Sequence, residues 1–521
     1  MREITRALGL AVVVGLLAGC GSSGAPSAAA GGSAGVTPTQ PQNLDRSCDE
    51  AAYPSAAWTT CEAANYGKSL EAPAEQLDAA FQARFFAQSP INLQEWLARS
   101  LADPSWLDPR SGNTPLTPLC TTLESLCVGD PFRYPSAAGP DGMAFYEQEA
   151  EVTPVVFYDR DCARLSGRLW LPRNAGSATL PNVVITNGSV QAPETVYWWA
   201  AQALVRAGYA VLTYDPRGQG RSDQQTPSLQ QGSNLGPHVF WDGQVDAIDF
   251  FRSTPARPYP HNVSCAGTYP TETTTYNPIW NRLDPARLGI AGHSLGAIGV
   301  SVVQGYGAPG ADPWPGQMDA ANPVKAAVAW DSLIRSDGAG LAPANDYPLP
   351  EAFANALVQI GTVGTLPKFA PRAPSLSFNA DYGLVPTPNL VAPNLDNHKL
   401  AFAEWQAAGI PAYVLGFQGT THFDYSPSNT FPATSWCADT SSGACRGGWG
   451  GPAIIHYTLA WFDRWLKKAG EPGYADADQR LVDDAGAEGA AKMSFRYRSA
   501  RDYPDRSGKR QHCEDIRAGC Q

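Results

Sequence analysis

The sequence predicts an α/β protein: a mostly parallel sheet with helices on both faces, a helical extension at the N-terminus, and loops closed by disulfides. Three observations carry this. Apolar strand-like runs alternate with helical runs from about residue 151 to 468, the pattern of units that pack helices over both faces of a parallel sheet. One such strand, in Arg287-Leu-Gly-Ile-Ala-Gly-His-Ser-Leu-Gly-Ala-Ile-Gly-Val-Ser-Val-Val-Gln304, runs through a glycine-flanked serine straight into a helix of small residues. The third is composition: 521 residues, 43% hydrophobic and 17% charged, suffice to bury a large core.

Residues 1–19 read as an export signal, with Arg2 and Arg6 ahead of an apolar run, Ala7 to Ala18, that is short for a spanning helix. Leu17-Ala18-Gly19-Cys20 resembles a bacterial lipobox, which implies cleavage before Cys20 and a lipid on its thiol. The chain would then be a cell-surface lipoprotein that meets the membrane only through this anchor. An ordinary signal peptide cut nearby, or an uncleaved anchor, is the alternative. Residues 20–43, rich in Gly, Ser, Ala, Pro and Thr, read as a flexible tether.

Residues 44–150 form an N-terminal extension, with helices expected at Ala72 to Gln88 and Asn92 to Ala102 and with Trp96 and Trp106 as core. Too few apolar residues lie there for a separate core, so the extension should pack on the main domain, 151–468. That domain opens on a hairpin, Val152 to Arg173. A strand at Pro181 to Gly188, a crossover helix at Trp198 to Ala207, a strand at Tyr209 to Asp215 and a helix at His238 to Ser253 then precede the serine-bearing strand. Beyond it, Val324 to Trp330, Ala373 to Asn379 and Pro411 to Phe417 read as strands, and Ile454 to Lys468 as a closing helix with Trp461, Phe462 and Trp465 on its apolar side. The Pro- and Gly-rich stretch from Leu333 to Arg372 is a candidate lid or pocket wall, and residues 469–521 read as a polar surface tail.

A net charge of −12 and a pI near 5.1 argue against nucleic acid as a partner, since counterion release needs a basic surface. Eleven cysteines suit an oxidising compartment. With Cys20 set aside, near neighbours suggest Cys48 with Cys61, Cys120 with Cys127, Cys437 with Cys445 and Cys513 with Cys520, leaving Cys162 and Cys265 as a longer bridge. Neither a Cys-x-x-Cys pair nor a His-Cys cluster stands at zinc spacing, so no metal and no other cofactor is expected.

The pattern Gly-x-Ser-x-Gly is weak by itself, and Gly31 to Gly35 also fits it. Context separates the two: only Ser294 has a strand before it and a helix after it. At such an elbow the serine hydroxyl stands above the sheet edge and the N–H of Leu295 faces the reacting carbonyl. With the surrounding parallel sheet, the stretch from about Val152 to Lys468 resembles the α/β-hydrolase superfamily, and more loosely its dienelactone-hydrolase, acetylhydrolase and polyesterase-like branches.

The resemblance implies an α/β-hydrolase fold and a triad in the order serine, acid, histidine, each on a loop at the carboxyl end of a strand. It is carried onto Ser294 as nucleophile, Asp381 as acid and His422 as base, with Asp331 as the alternative acid because acetylhydrolase-like members take theirs from the earlier loop. His293, His398, His456 and His238 are less well placed for the base, since only His422 leaves a strand at the right end. The oxyanion hole would take one N–H from Leu295 and one from Ser189 or Val190, although no His-Gly-Gly-Gly run stands there.

The chemistry needs this set because a serine hydroxyl is a weak nucleophile until an imidazole takes its proton, and a carboxylate fixes the tautomer of that imidazole. Asp215 and Arg217 read as structural support. Trp198, Trp199, Trp241 and Trp330 read as core, with an acyl pocket as the alternative. The expected activity is hydrolysis of a small-molecule or lipid-like carboxylic ester through an acyl-enzyme. A serine peptidase, or a silent binding lipoprotein of the same fold, is the alternative.

Overall fold

A computed structural model of the chain describes residues 35–40, 46–68, 97–107, 145–176, 178–189, 193–232, 237–338, 366–383, 392–426, 450–486 and 489–520. Outside the described residues lie the export signal with Cys20, the helix expected at 72–88, Trp96, Val190, residues 339–365 of the candidate lid, and Cys120, Cys127, Cys437 and Cys445.

Among the described residues, ten strands form one sheet: β1 (Ala150–Tyr158), β2 (Arg164–Pro172), β3 (Leu180–Thr186), β4 (Ala210–Tyr214), β5 (Leu283–His293), β6 (Val324–Trp330), β7 (Ser375–Tyr382), β8 (Ala412–Thr421), β9 (Ala500–Pro504) and β10 (Arg510–Cys513). Their order is β1-β2-β4-β3-β5-β6-β7-β8-β9-β10. β1 pairs antiparallel with β2, and β2 antiparallel with β4, while β4, β3, β5, β6, β7 and β8 run parallel. The hairpin and the parallel strands expected from the sequence are thus present, in a mixed α/β architecture.

β3 shows why these runs become strands. All seven of its residues are buried, with Val183 and Ile185 facing one hydrophobic layer and Val184 the other. A strand apolar on both faces has to be covered on both. Helices among the described residues include α1 (Ala56–Lys68), α2 (Trp198–Arg206), α3 (Val239–Arg252), α4 (Pro260–Ser264), α5 (Leu295–Gly305), α6 (Leu400–Ala407), α7 (Gly450–Leu466), α8 (Ala477–Val482) and α9 (Gly489–Lys492). Leu204 of α2 and Trp461 of α7 join one layer; Ile248 of α3, Val302 of α5 and Trp405 of α6 join the other. Trp198, Trp199 and Trp330 sit in the first layer and Trp241 in the second, so all four pack helices against the sheet.

Two segments depart from expectation. Residues 469–520, expected as a surface tail, continue the sheet: β9 pairs antiparallel with β8, and β10 with β9. Their polar sequence conceals a core, because Arg501 and Asp484 are both fully buried and neutralise each other at 2.7 Å. Leu481, Val482, Met493, Tyr503 and Ile516 are buried around them. In the N-terminal extension the first helix is α1, tied by the Cys48–Cys61 disulfide, in a stretch where no helix was expected. Residues 97–102 are helical, as expected. Trp106 is fully buried, with the guanidinium carbons of Arg99 and Arg164 each 3.8 Å from its ring centroid.

Cys162–Cys265 and Cys513–Cys520 are also bonded, so three of the five expected pairs form and the other two lie outside the described residues. Among the described residues, no helix is long and apolar enough to cross a membrane.

Candidate active site

β3 has β4 on one side and β5 on the other, and the chain leaves β3 toward β4 but leaves β5 toward β6. In sheets of this kind, ligands usually sit in a crevice outside the carboxyl ends of the strands that flank such a reversal, here β3 and β5. Ser294 stands there, immediately after β5 and before α5, at φ 56° and ψ −123°. That backbone is costly for a residue with a Cβ, roughly 1–3 kcal/mol, and persists only where the surroundings impose it. They do so here through close packing. A Cβ on Gly292 would collide with the carbonyl of Gly296, and one on Gly296 with the carbonyls of Thr186 and Asn187. The Ser294 N–H donates to the Trp330 carbonyl at 3.1 Å, fixing the elbow to the end of β6. Ser294 and Leu295 are both half-buried.

His422 follows β8 and opens a short 3-10 turn, His422–Tyr425. Its Nδ1 lies 2.6 Å from Oδ2 of Asp331, the first residue after β6. The other Asp331 oxygen accepts the Ala380 N–H at 2.9 Å. Asp331 holds a positive φ of 50°, which turns the chain sharply at the strand end. Burial pushes its carboxyl up, yet the hydrogen bond from His422, the charge of that imidazole and the Ala380 N–H outweigh burial and leave the group below the usual carboxylate range. Both side chains keep some exposure, 18% each, so the pair is not sealed in the core.

Asp381, the acid favoured from the sequence, is not the partner of His422. It lies inside β7, which runs on to Tyr382, and is 3% exposed. Its oxygens accept from Asn65 Nδ2 of α1 at 2.7 Å, from the Gly419 N–H of β8 at 3.1 Å and from the Ser494 hydroxyl at 2.5 Å. Its own N–H donates to Thr420 Oγ1 at 3.1 Å. Asp381 therefore joins the N-terminal helix, the last turn of β8 and the C-terminal segment.

The loop after β3 carries the remaining candidates. Gly188 is packed so closely that a Cβ on it would lie 3.0 Å from the Ser294 Cβ and 3.0 Å from the Tyr197 hydroxyl. Its N–H donates to that hydroxyl at 2.8 Å. The next amide, Ser189, is half-buried beside the elbow, and Val190 lies outside the described residues. Below the loop, Asp215 accepts from Asn187 Nδ2 and the Glu194 N–H, both at 2.6 Å, and from the Arg221 N–H at 2.8 Å. Burial, with Glu194 second, pushes the Asp215 carboxyl up. Arg217 pairs with Asp159 at 2.8 Å and with Asp161 at 3.1 Å. Asp215 and Arg217 thus brace separate parts of the scaffold.

Two residues that sequence reading did not single out lie here, His293 and Tyr197. His293, the variable residue of the elbow, places Nδ1 2.8 Å from the Tyr197 hydroxyl and Nε2 3.0 Å from the main-chain oxygen of His422. The sequence signal was a polar ring at a position whose neighbours are all small. His398 stacks on Tyr497, His456 Nε2 meets the Arg480 carbonyl, and His238 Nε2 faces Arg217, so these three serve the scaffold.

Burial, and then the charge of His422, holds the His293 imidazole well below its ordinary value of 6.5, while Asp331 and the hydrogen bond to the His422 main chain pull the other way. Below pH 6.5 the unfolded chain binds a proton at this residue that the folded chain refuses. Stability should therefore fall on acidification, with a slope approaching about 1.4 kcal/mol per pH unit from this residue. Denaturant midpoints between pH 7.5 and 5.5 should drop more steeply for the native chain than for His293→Gln; parallel curves would refute the assignment.

Among the described residues, no group of three or more His, Cys, Asp or Glu is arranged to hold a metal ion. No protein-family model matches the chain. It is similar to two proteins of Aspergillus aculeatus: "Hydrolase acrC", 37% identical over 70 residues, which are 12% of this chain and 16% of that protein, and "Thiohydrolase aneE", 31% identical over 108 residues, 21% of this chain and 31% of that protein. The matched segments thus cover less than a third of either relative. Both relatives carry the name of a hydrolase.

Proposed function

We propose that the chain is a serine hydrolase of the α/β-hydrolase fold that cleaves carboxylic esters through an acyl-enzyme, with Ser294 as nucleophile, His422 as base and Asp331 as acid. The observation that carries the reading is the 2.6 Å contact between His422 and Asp331 at the sheet edge that also presents the strained Ser294. The topology supports the fold, with the serine after β5, the acid after β6 and the histidine after β8, all at carboxyl strand ends.

An ester enters the crevice between β3 and β5 with its carbonyl carbon against Ser294 Oγ. His422 Nε2 takes the hydroxyl proton as the C–O bond forms, and Asp331 holds the Nδ1–H so that the ring presents the correct nitrogen and tolerates its charge. The oxyanion is received by N–H donors, each worth roughly 3 kcal/mol in well-studied cases. Leu295 supplies one. Gly188 has its N–H committed to Tyr197, which favours Ser189 for the other. Collapse expels the alcohol with the proton from His422, and water repeats the sequence to free the acid.

A thioester would react by the same steps with a thiol leaving, and the relative named as a thiohydrolase favours testing that class. Fluorophosphonate labelling, followed by p-nitrophenyl esters and thioesters of increasing acyl length, tests the proposal; an unlabelled Ser294 in oxidised, folded protein would sink it.

The proposal places the enzyme outside the cytoplasm, held to the membrane by a lipid on Cys20. The three disulfides support an oxidising compartment. Cys20→Ser should move the protein from the membrane fraction to the soluble fraction, and unchanged membrane retention would refute anchoring at this residue.

A further inference from the structure

We propose that His293 and Tyr197 are positioning residues for the acyl transfer, a buried neutral pair that holds the main chain of His422 and the loop bearing Ser189 in register with Ser294. This rests on the serine hydrolase reading above.

Proton bookkeeping gives the pair a direction. The His422 carbonyl can only accept, so the His293 Nε2 that faces it at 3.0 Å carries the hydrogen. The ring is 2% exposed and kept neutral, which leaves Nδ1 bare. Nδ1 therefore accepts the Tyr197 hydroxyl hydrogen at 2.8 Å. The Tyr197 oxygen in turn accepts the Gly188 N–H at 2.8 Å and a hydrogen bond from Ser426, the residue that ends the His422 turn. One ordered line of donors thus runs from the β3 loop through the elbow to His422, and Tyr197 also grips the far end of the same turn.

His422 is then held at three points. Asp331 fixes its ring, the Gly383 carbonyl receives its N–H at 2.9 Å, and His293 holds its carbonyl. The first sets the tautomer; the other two set where the ring stands relative to Ser294. Neither His293 nor Tyr197 reaches the crevice surface, since both are buried. Their influence is on geometry, and a misplacement of about 1 Å is enough to cost roughly a hundredfold in rate.

The test uses the full-length oxidised protein, p-nitrophenyl butyrate and a fluorophosphonate, with three variants. Tyr197→Phe removes one oxygen and keeps the ring packed. His293→Leu removes both ring bonds, and His293→Gln restores an amide N–H near the Nε2 position. Tyr197→Phe should lower kcat roughly tenfold and His293→Leu roughly 10- to 100-fold, with KM within about twofold of the native value and labelling slowed in parallel. His293→Gln should recover to within about threefold of native kcat. Native kcat in Tyr197→Phe overturns the inference even if the His293 variants fail to fold. So does a loss confined to KM, or a glutamine as impaired as leucine. If Ser294 of the native protein does not label at all, the hydrolase reading itself falls and the inference with it.

Discussion

Ser294→Ala is expected to abolish fluorophosphonate labelling and to lower ester hydrolysis by roughly 10⁶-fold, the size of effect seen when the nucleophile of a comparable triad is removed. The residual rate should stand about 10³-fold above water, because the oxyanion donors and the crevice survive the change. The substitution is also informative about the scaffold. Ser294 sits at φ 56°, so alanine inherits the same strained backbone and loses only the hydroxyl. Its N–H to Trp330 and the packing of Gly292 and Gly296 are untouched. A folded Ser294→Ala that retains more than about a hundredth of native activity would show that another group performs the chemistry.

The second large effect separates two carboxylates. Asp331→Asn should reduce kcat by about 10⁴-fold, since an amide at this place stabilises the wrong tautomer of His422 and leaves its developing charge unanswered. Asp331 is held below the usual carboxylate range, so it stays ionised across the neutral region and contributes there in full. Asp381→Asn should leave kcat within a few-fold but lower stability by about 1–3 kcal/mol, because an amide nitrogen would face Asn65, Gly419 or Ser494, all of which donate to the present carboxylate. Kinetics and denaturant midpoints on the same two preparations give the answer. A large kcat loss in Asp381→Asn alone would reverse the assignment.

That pair also shows where the sequence was readable. The parallel strands and both helical layers could be read from apolar runs because a strand such as β3 is hydrophobic on both faces, and the elbow could be read because its glycines are required by close packing. The carboxylate that meets His422 could not be read in the same way. Both aspartates follow apolar runs, and only tertiary contacts reveal that β6 stops just before Asp331 while β7 continues through Asp381. The C-terminal strands were hidden for a different reason. Their buried charges are paired with one another, as in Arg501 with Asp484, and composition counts such residues as surface. His293 reads in the sequence only as a histidine less well placed for the base, since its contacts are with Tyr197 and the main chain of His422, which are distant in sequence.

The three donors that converge on Asp381 come from near the start of the chain, from β8 and from beyond residue 490. Such a carboxylate behaves as a conjunction: its burial is compensated only when all three segments have arrived. During synthesis Ser294, Asp331 and His422 leave the ribosome before Ser494 does, so the proposed triad exists ahead of the support that steadies the strand leading to His422. On the proposed mechanism, a nascent or C-terminally clipped chain would carry all three triad residues without the frame that aligns them.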